Sequence, residues 1–327
     1  MLAPLHSCPA QVEQVGWKGW GLRWLESNGF PVPPTWLLAA SAFDEAIVRT
    51  GVAREVAEIG WSLRGVWNDW TAAQRVLDGL EKKRAGVARA LRRASLPNQL
   101  GRQFERLALM PTQWAVRSSA AGEGGKQYPF AGLFLSLLSV LPGAAVWNGV
   151  QQVWASTFRR EALLYCAQND LSLPRMAVIL HPMAPITPFD RSGRVYSHSP
   201  LPSLPGTLVQ LTGDTAAVYS CALGRWFRVE LPGRSNEKGN VLVTGGQGGL
   251  ELQPAGEGNV LRHEEARQLA QLVQAVAERW GAPVTVEFVW RVGGEPLLVQ
   301  AQPTSDEVMH GRFLELGRGA GRDARAG

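Results

Sequence analysis

The sequence predicts an α+β protein of two lobes, in which a helix-rich first lobe precedes a strand-rich second lobe. Residues from about 52 to 108 are rich in Ala, Leu, Arg and Glu, a composition typical of helices. Beyond residue 174, short apolar runs alternate with Gly and Pro, which is the pattern of strands joined by turns. The 327 residues, of which 45% are apolar, suffice for about two domains with a substantial core.

The first lobe is expected to span residues 1–172 and to mix helices with a few strands. A helix over 18–28 should end at Gly29, because a glycine there and prolines shortly beyond it are typical helix stops. Ser41 has the side chain of a helix N-cap. The other predicted elements are strands at 36–39, 112–116 and 134–140, and helices at 41–48 and 144–168.

The second lobe is expected to span residues 173–306. Its predicted strands lie at 175–180, 194–197, 207–211, 217–221, 226–231, 241–244 and 250–253, and a helix is predicted at 263–280. Two alternating strands at 284–290 and 296–301 should form a hairpin, because Gly293 and Gly294 lie between them. The tail at 307–327 sets arginines among Gly and Ala and is expected to be disordered.

Composition excludes several classes of protein. No apolar run approaches the ~20 residues that cross a bilayer, so no membrane partner is expected. Residues 1–14 lack the basic and apolar regions of a secretory signal. Cys8, Cys166 and Cys221 are widely separated and form no CxxC pair, which argues against a disulfide or zinc framework. These features favour a cytoplasmic protein.

The basic character of the chain permits an anionic partner, nucleic acid included. The formal net charge is +5 and the pI is about 9.4. The densest basic run, from Lys82 to Arg93, falls on a predicted helix, where a solvated helix face is the favoured interpretation. Most of the thirteen tryptophans lie in predicted helices, which favours packing between helices over base stacking. Nucleic acid is therefore not the expected partner.

The segment at 114–132 is the most informative part of the sequence. An apolar strand delivers Arg117, and a stretch of small residues with three glycines, Glu123 and Lys126 follows. Glycines let backbone N–H groups approach phosphate oxygens, and an arginine can meet an anion with two hydrogen bonds. These are the parts of a polyphosphate cradle, but a glycine-rich hairpin loop has the same composition. The spacing alone leaves both interpretations open.

This segment resembles the signature of the nucleotide-binding domain of pyruvate phosphate dikinase, phosphoenolpyruvate synthase and rifampicin phosphotransferase. The family pattern reads roughly V-A-V-R-S-S-A-T-A-E-D, a spacer, then S-F-A-G. The matching residues, in register without a gap, are Arg117, Ser118, Ser119, Ala120, Glu123, Phe130, Ala131 and Gly132. Gly124 and Pro129 depart, since an aspartate and a serine are usual there. The resemblance covers about residues 12–306 and implies an ATP-grasp-like fold that binds ATP through Arg117, Ser118, Ser119 and Gly132.

A second landmark is the run Val15-Gly16-Trp17-Lys18-Gly19, which resembles the family's G-G-K-G element. Residues 29–34 then match its G-x-P-V-P-P turn. A lysine between glycines at a helix start suits a phosphate, because the helix dipole and free amides already favour an anion. By itself Lys18 would be an ordinary surface lysine; with the matching turn it is a predicted phosphate contact.

The strands at 284–288 and 297–304 resemble the family's D-I-E-W and L-Q-x-R-P-x-T strands. On a hairpin, Glu287 and Gln300 could project from one face, and their oxygens suit Mg²⁺. The alternative for Glu287 is an exposed strand residue. Gln302 replaces the family arginine that faces the terminal phosphate. A neutral glutamine cannot offset charge on a transferred phosphoryl group, and losing such a contact can cost several kcal/mol in the transition state.

The middle of the second lobe carries weaker landmarks. Residues 176–183 resemble the strand leading to the adenine hinge, usually V-V-V-Q-x-M-V, which makes His181 and Met183 predicted adenine contacts. A purely structural role for His181 is equally open. Residues 192–200 follow the pattern S-G-V-x-F-T-x-x-P, and Asp214 matches loosely an acid near the ribose.

The resemblance implies a phosphotransferase module that binds ATP and Mg²⁺, with Arg117, Lys18 and Gln302 at the catalytic positions. The family's full-length enzymes continue into a domain with a catalytic histidine, and none of the five histidines here lies in a matching glycine-rich setting. The expected phosphoryl acceptor is therefore a histidine of a separate protein, or another acceptor. The changes at Gln302 and Gly124 keep a second interpretation open, a catalytically degenerate nucleotide-binding protein with a regulatory or structural role.

Overall fold

A computed structural model describes residues 2–64, 66, 69–121, 133–183, 187, 190–199, 206–211, 216–220, 225–229, 240–244, 250–254, 261–291 and 293–304. The chain divides into two compact units. Unit 1 comprises Met1–Trp24, Pro34–Pro185 and Thr244–Leu250, and unit 2 comprises Leu25–Pro33, Ile186–Val243 and Glu251–Gly327. Helices and antiparallel sheets occur in both units, which confirms the predicted α+β class.

A five-stranded antiparallel sheet forms the centre of unit 1. Its strands, in spatial order, are β1 (Leu2–Pro4), β2 (Trp36–Leu38), β5 (Met176–Met183), β3 (Gln113–Ala120) and β4 (Ser136–Val140). Strands β3 and β5 pair along their whole length, so that Ala120 lies opposite Met176. The strand predicted at 112–116 therefore continues to Ala120, and Arg117, Ser118 and Ser119 lie within the sheet.

Helices cover one face of this sheet. They are α2 (Ala40–Arg49), α3 (Ala53–Leu63), α4 (Trp70–Gly79), α5 (Glu81–Leu91), α6 (Asn98–Ala108), α7 (Ala144–Ser156) and α8 (Arg160–Gln168). Helix α7 approaches β3 closely at Gly149, where an added Cβ would lie 3.1 Å from Val116 Cγ2. Trp147 packs edge to face on Phe104 of α6 with ring centroids 5.3 Å apart, and Trp154 packs on Phe43 of α2 at 6.1 Å. Tryptophan packing between helices is thus confirmed for these two residues.

The single helix predicted at 144–168 is wrong, because α7 ends at Ser156 and α8 begins only at Arg160. Arg159 between them has an extended backbone, with φ −67° and ψ 147°. The break turns the buried Phe158 ring onto Phe43, at a centroid distance of 6.5 Å. The Phe158 carbonyl accepts a hydrogen bond from Arg84 Nη1 at 2.9 Å, so the interrupted backbone still finds a partner.

Helix α1 (Val12–Ser27) ends as predicted before Gly29. Gly29 has φ 78°, and its N–H donates to Glu26 O at 3.0 Å while Phe30 N–H donates to Leu25 O at 3.0 Å. This bond pair is a Schellman motif, which needs the left-handed backbone that glycine adopts without strain. Pro31 then accepts a hydrogen bond from Leu298 N at 2.8 Å, which fixes residues 25–33 in unit 2.

Unit 2 contains a six-stranded antiparallel sheet and one long helix within the described residues. The strand order is β13 (Pro296–Pro303), β12 (Val284–Trp290), β6 (Arg191–Tyr196), β7 (Thr207–Leu211), β8 (Ala216–Ser220) and β9 (Arg225–Val229). Helix α9 (His263–Trp280) packs on the sheet face that carries the buried Val284, Val286 and Phe288. Strands β10 (Asn240–Thr244) and β11 (Leu250–Pro254) form a separate two-stranded sheet.

The compact units do not divide at the boundary predicted between 172 and 173. Residues 173–185 lie in unit 1, because β5 pairs with β2 on one side and with β3 on the other. The turn-rich stretch before β5 is therefore a connection inside unit 1. The predicted tail at 307–327 lies outside the described residues.

The basic helix α5 is engaged in ordinary surface pairs. Lys83 contacts the carboxylate of Glu58, and Arg84 Nε donates to Glu81 at 3.0 Å. Such pairs are expected of a solvated helix face. None of the helices in the described part of the chain combines the length and the apolar character that crossing a membrane requires.

Candidate functional site

The predicted site residues fall into two sets, one in each unit, and each set is described by itself. Unit 1 holds Lys18, Arg117, Ser118, Ser119, His181 and Met183. Unit 2 holds Glu287, Gln300 and Gln302. Gly132 and Asp214, together with Glu123, Gly124 and Phe130, lie outside the described residues.

In unit 1 the lysine segment is fixed to β3 by one serine hydroxyl. Helix α1 is kinked at Gly16, which has φ 69° and ψ 167°. In an unbroken helix the Gly19 N–H would donate to the Val15 carbonyl. Here Ser119 Oγ stands between them, donating to Val15 O at 2.7 Å and accepting from Gly19 N at 2.9 Å. A side chain inserted into the helical hydrogen-bond ladder is a recognised cause of a sharp kink.

Both glycines of this segment are required by close packing. A Cβ on Gly16 would lie 2.1 Å from the Ser119 carbonyl oxygen, and the positive φ is also unfavourable for other residues. A Cβ on Gly19 would lie 2.5 Å from Leu37 Cδ1. The sequence predicted these glycines as phosphate neighbours; the structure shows that they let the helix start dock onto the sheet.

This docking places the backbone segment of Lys18 on the side of the unit 1 sheet that carries Arg117. Arg117 and Ser119 are two residues apart on β3, so their side chains share a face. Because Ser119 contacts the segment on either side of Lys18, that segment lies against the face that carries Arg117. Lys18 and Arg117 are both half-buried. Their phosphate contacts remain a prediction.

The two predicted serine contacts are fully buried in this structure. Ser119 uses its hydroxyl to hold the backbone of α1, as described above. Ser118 points to the opposite face of β3, toward the helices, and its hydroxyl meets no hydrogen-bond partner among the described residues. Neither hydroxyl is exposed in this structure, and their nucleotide contacts stay a prediction.

His181 lies on the Arg117 side of the sheet and is only 4% exposed. Its Nδ1 lies 2.9 Å from Thr35 Oγ1, with the donor set by the tautomer, and its Nε2 meets no partner in the described part of the chain. Burial, and then the Arg117 charge, lower the pKa of His181 to about 3. His181 is therefore neutral at physiological pH. Its Nδ1 is held by Thr35, and its Nε2 makes no hydrogen bond among the described residues.

Met183 ends β5, and its backbone carbonyl accepts a hydrogen bond from Thr112 Oγ1 at 2.9 Å. Its Sδ lies 3.5 Å from Ser139 N. These contacts fix the end of the strand that the sequence assigns to the adenine hinge. The adenine contact itself remains a prediction.

In unit 2 the sheet face opposite α9 is polar across adjacent strands. Glu287 on β12 lies directly opposite Gln300 on β13 and opposite Arg194 on β6. The next row holds Gln302, Thr285 and Tyr196. Directly paired residues of an antiparallel sheet share a face, so Glu287 and Gln300 lie side by side, as the hairpin predicted. Their role as metal ligands remains a prediction.

A β-bulge at Val299 makes this arrangement possible. Phe288 pairs with Leu298, but Glu287 pairs with Gln300, so one extra residue interrupts the alternation of β13. Leu298 therefore faces the apolar core while Gln300, two residues on, faces the polar side. Without the bulge these two residues would share a face.

Gln302 positions the amide of Gln300. Gln300 Nε2 donates to Gln302 Oε1 at 3.2 Å, and Gln300 is only 6% exposed. This bond turns the amide nitrogen of Gln300 along β13, toward Gln302, and its carbonyl oxygen away from Gln302. The glutamine in the family's arginine position thus has a structural partner.

Arg194 is a charged residue of this face that was not predicted from the sequence. Its Nε and Nη2 both lie 3.1 Å from Glu287 Oε1, and its side chain is 52% exposed. Burial opposes the charge on Arg194, but Glu287 and Tyr196 outweigh it and raise the pKa of the guanidinium. A signal was present, because Arg194 occupies the third position of the S-G-V-x-F-T pattern, where valine is usual.

The residues of this face suit Mg²⁺, which needs only one or two protein ligands. They do not suit a metal ion that takes all its ligands from protein side chains. Among the described residues, no group of three or more His, Cys, Asp or Glu side chains could hold a metal ion. Mg²⁺ commonly takes one or two protein oxygens and completes its shell with water and phosphate oxygens. The carboxylate of Glu287 and the amide oxygen of Gln300 meet that smaller requirement.

Comparison with known proteins shows which family the chain resembles. The family model described as pyruvate phosphate dikinase, AMP/ATP-binding domain, matches residues 12–310. The chain is 23% identical to a probable phosphoenolpyruvate synthase of Methanothermobacter thermautotrophicus, over 94% of this chain and 47% of that protein. It is 26% identical to the prodigiosin synthesizing transferase PigC of Serratia marcescens, over 89% of this chain and 32% of that protein.

A shorter match joins the chain to a rifampicin phosphotransferase of Streptomyces sviceus, at 28% identity over 53% of this chain and 20% of that protein. The chain therefore spans less than half the length of each of these relatives. Their similarity to this chain concerns one part of each protein.

Proposed function

The chain belongs to the family of pyruvate phosphate dikinase AMP/ATP-binding domains, which has an ATP-grasp-like fold, and from this premise we propose that it binds Mg-ATP and transfers a phosphoryl group. The observation that carries the proposal is the serine bridge in unit 1. It holds the Lys18 segment against the sheet face of Arg117, which supports a site where both cations meet one ligand. Two such cations suit the phosphates of a nucleotide.

The roles of the two cations follow from their settings. Lys18 lies just after the kink at Gly16, at the restart of the helix, where backbone amides and the helix dipole favour an anion. Arg117 sits within a paired strand, so its guanidinium starts from a rigid backbone and can bind two phosphate oxygens. His181 and Met183 would lie on the adenine side, at the end of β5.

In unit 2, Glu287 and Gln300 would hold Mg²⁺. When bound, the ion would neutralise phosphate charge and orient the terminal phosphate. Gln302 would orient Gln300 through their side-chain hydrogen bond. The expected acceptor is a histidine outside the residues of this ATP-binding domain, or another nucleophile that the transferred group can reach.

Nucleotide-dependent thermal stabilisation tests the binding proposal. A ligand that binds only the folded state stabilises it by about 2.7 kcal/mol at a hundred times its dissociation constant. Mg-ATP should therefore raise the melting temperature of the wild-type protein, and Lys18→Gln and Arg117→Ala should reduce that rise. Matched controls are Lys82→Gln and Arg102→Gln, which remove exposed charges of the same type in unit 1. Wild-type melting that ignores Mg-ATP would refute the proposal.

A second candidate function is favoured by Gln302, which carries no charge toward the transferred group. The chain would then bind a nucleotide as a regulatory or structural ligand without turnover. Measuring ATP consumption by the purified protein, alone and with histidine-domain proteins of the family, separates the two functions. Sustained consumption excludes the degenerate protein, whereas binding without consumption supports it. A gain in rate for Gln302→Arg would show that the substitution had lowered activity.

A further inference from the structure

The polar face of the unit 2 sheet carries a cation that the sequence resemblance does not assign. Arg194, Glu287 and Gln300 form one directly paired row on β6, β12 and β13. Gln210 on β7 extends the same row, since it pairs with Arg194. Four neighbouring strands thus present polar side chains on one face, opposite the apolar face under α9.

We propose that Arg194 is the phosphate-contacting cation of this face, taking over the charge that is missing at Gln302. The inference rests on the proposed Mg-ATP site. By the sequence resemblance, Gln302 on β13 stands where the family pattern has an arginine, and Arg194 on β6 stands where it has a valine. The face therefore keeps one guanidinium, moved to another strand.

The geometry allows this relocation. Arg194 and Gln302 lie two strands apart across the sheet and are offset by two residues along the strands. This separation corresponds to about 12 Å between their Cα atoms. The guanidinium of Arg194 extends toward that side of the sheet, since it reaches Glu287 Oε1 on the intervening strand. Its charge is thus placed over β12, beside the residues that would hold the metal.

The ion pair between Arg194 and Glu287 is expected to contribute little to the stability of the fold, so stability alone does not explain why an arginine is present. A pair with 52% of the arginine side chain exposed is a surface ion pair, and such pairs typically contribute little to stability. The exposed guanidinium has five N–H donors, and two of its nitrogens contact Glu287. Glu287 and a side-chain hydrogen bond with Tyr196 orient the group, and its 52% exposed side chain leaves part of it toward solvent, where an anion can approach.

The test compares the affinities of Mg-ATP and AMP in calorimetric titrations of the full chain. Arg194→Gln should weaken Mg-ATP binding about 10- to 100-fold, the range for losing hydrogen bonds to a charged group. AMP lacks the β and γ phosphates, so its affinity should change by less than about threefold. Arg194→Lys, which keeps the charge, should retain most of the affinity, and adding Gln302→Arg to Arg194→Gln should recover part of the loss.

Arg291→Gln is the matched control, because it removes an exposed arginine of the same unit near the end of β12. Arg194→Gln that binds Mg-ATP as well as this control, or that loses Mg-ATP and AMP equally, would overturn the inference. In both cases the wild-type protein still binds Mg-ATP and the proposed function stands. A wild-type protein that binds no Mg-ATP would overturn the proposed function and this inference together.

Discussion

Replacing Ser119 by alanine tests how the Lys18 segment is held. The Ser119 hydroxyl is the bridge between the Val15 carbonyl and the Gly19 N–H, at 2.7 Å and 2.9 Å. Both groups are buried, and the kink at Gly16 replaces their direct helical hydrogen bond by this bridge. Ser119→Ala should therefore leave a buried acceptor and a buried donor without their partner.

The magnitude follows from the cost of an unsatisfied buried group, which is about 1–3 kcal/mol. Two such groups, partly relieved by relaxation of the segment, give about 2–4 kcal/mol. If the segment opens locally, this loss should accelerate amide exchange in residues 12–24 from roughly 30-fold to several hundred-fold. The effect should be concentrated in peptides from the start of α1 and in β3.

Hydrogen exchange measured by mass spectrometry is the suitable assay, because it reports each segment separately. Ser118→Ala is the matched control: it deletes a buried hydroxyl of the same strand that has no partner among the described residues. Its removal leaves no hydrogen-bonding group without a partner, so it should not destabilise the fold. Equal exchange of residues 12–24 in the two variants would refute the assignment of Ser119 as the bridge.

Three further predictions concern packing and charge. Gly16→Ala should destabilise unit 1 by more than about 2 kcal/mol in urea unfolding, since its Cβ would lie 2.1 Å from a carbonyl oxygen of β3; unchanged stability would contradict this. Burial and a neighbouring positive charge lower the pKa of His181 to about 3, so only the unfolded state gains its proton as pH falls below about 6.5. Relative to His181→Gln, the wild-type protein should lose about 1.4 kcal/mol of stability per pH unit between pH 6 and 4, and parallel profiles would contradict this. Glu265→Gln removes the carboxylate that pairs at 2.7 Å with Arg191, whose side chain is 10% exposed, and should cost unit 2 about 2 kcal/mol. The exposed Glu264→Gln should cost almost nothing, and equal urea midpoints of the two variants would count against the pair.

Local signals in the sequence were sufficient to predict the bounds of several helices and strands. The helix at 263–280 and the strand at 284–290 have the predicted bounds. Gly29 ends α1 as its left-handed backbone requires. These features depend on hydrophobic periodicity and glycine, which act over a few residues.

Other features depend on partners distant in the sequence, and the sequence alone could not reveal them. Ser119 contacts residues about a hundred positions away, so its role as a bridge has no local signal. The bulge at Val299 is visible only in the pairing of β12 with β13. The break before α8 interrupts a continuous apolar pattern, because tertiary packing of Phe158 outweighs helix propensity.

The N-cap predicted for α2 was also wrong, because the helix start depends on the preceding strand. Ser41 was predicted to cap α2, but the helix already begins at Ala40, and Ala39 is the N-cap without a side-chain hydrogen bond. The helix start is set by where β2 ends at Leu38, close to the sheet. Ser41 lies two residues after the N-cap position, inside the helix, so its hydroxyl cannot serve as the cap.

A crystal structure with Mg²⁺ and a non-hydrolysable ATP analogue would show directly which residues hold the phosphates and the metal. We expect phosphate oxygens within hydrogen-bond distance of Arg117, and the metal about 2.1 Å from oxygens of Glu287 and Gln300. Phosphates bound away from Arg117, or a metal that contacts neither Glu287 nor Gln300, would contradict the assignment of the site.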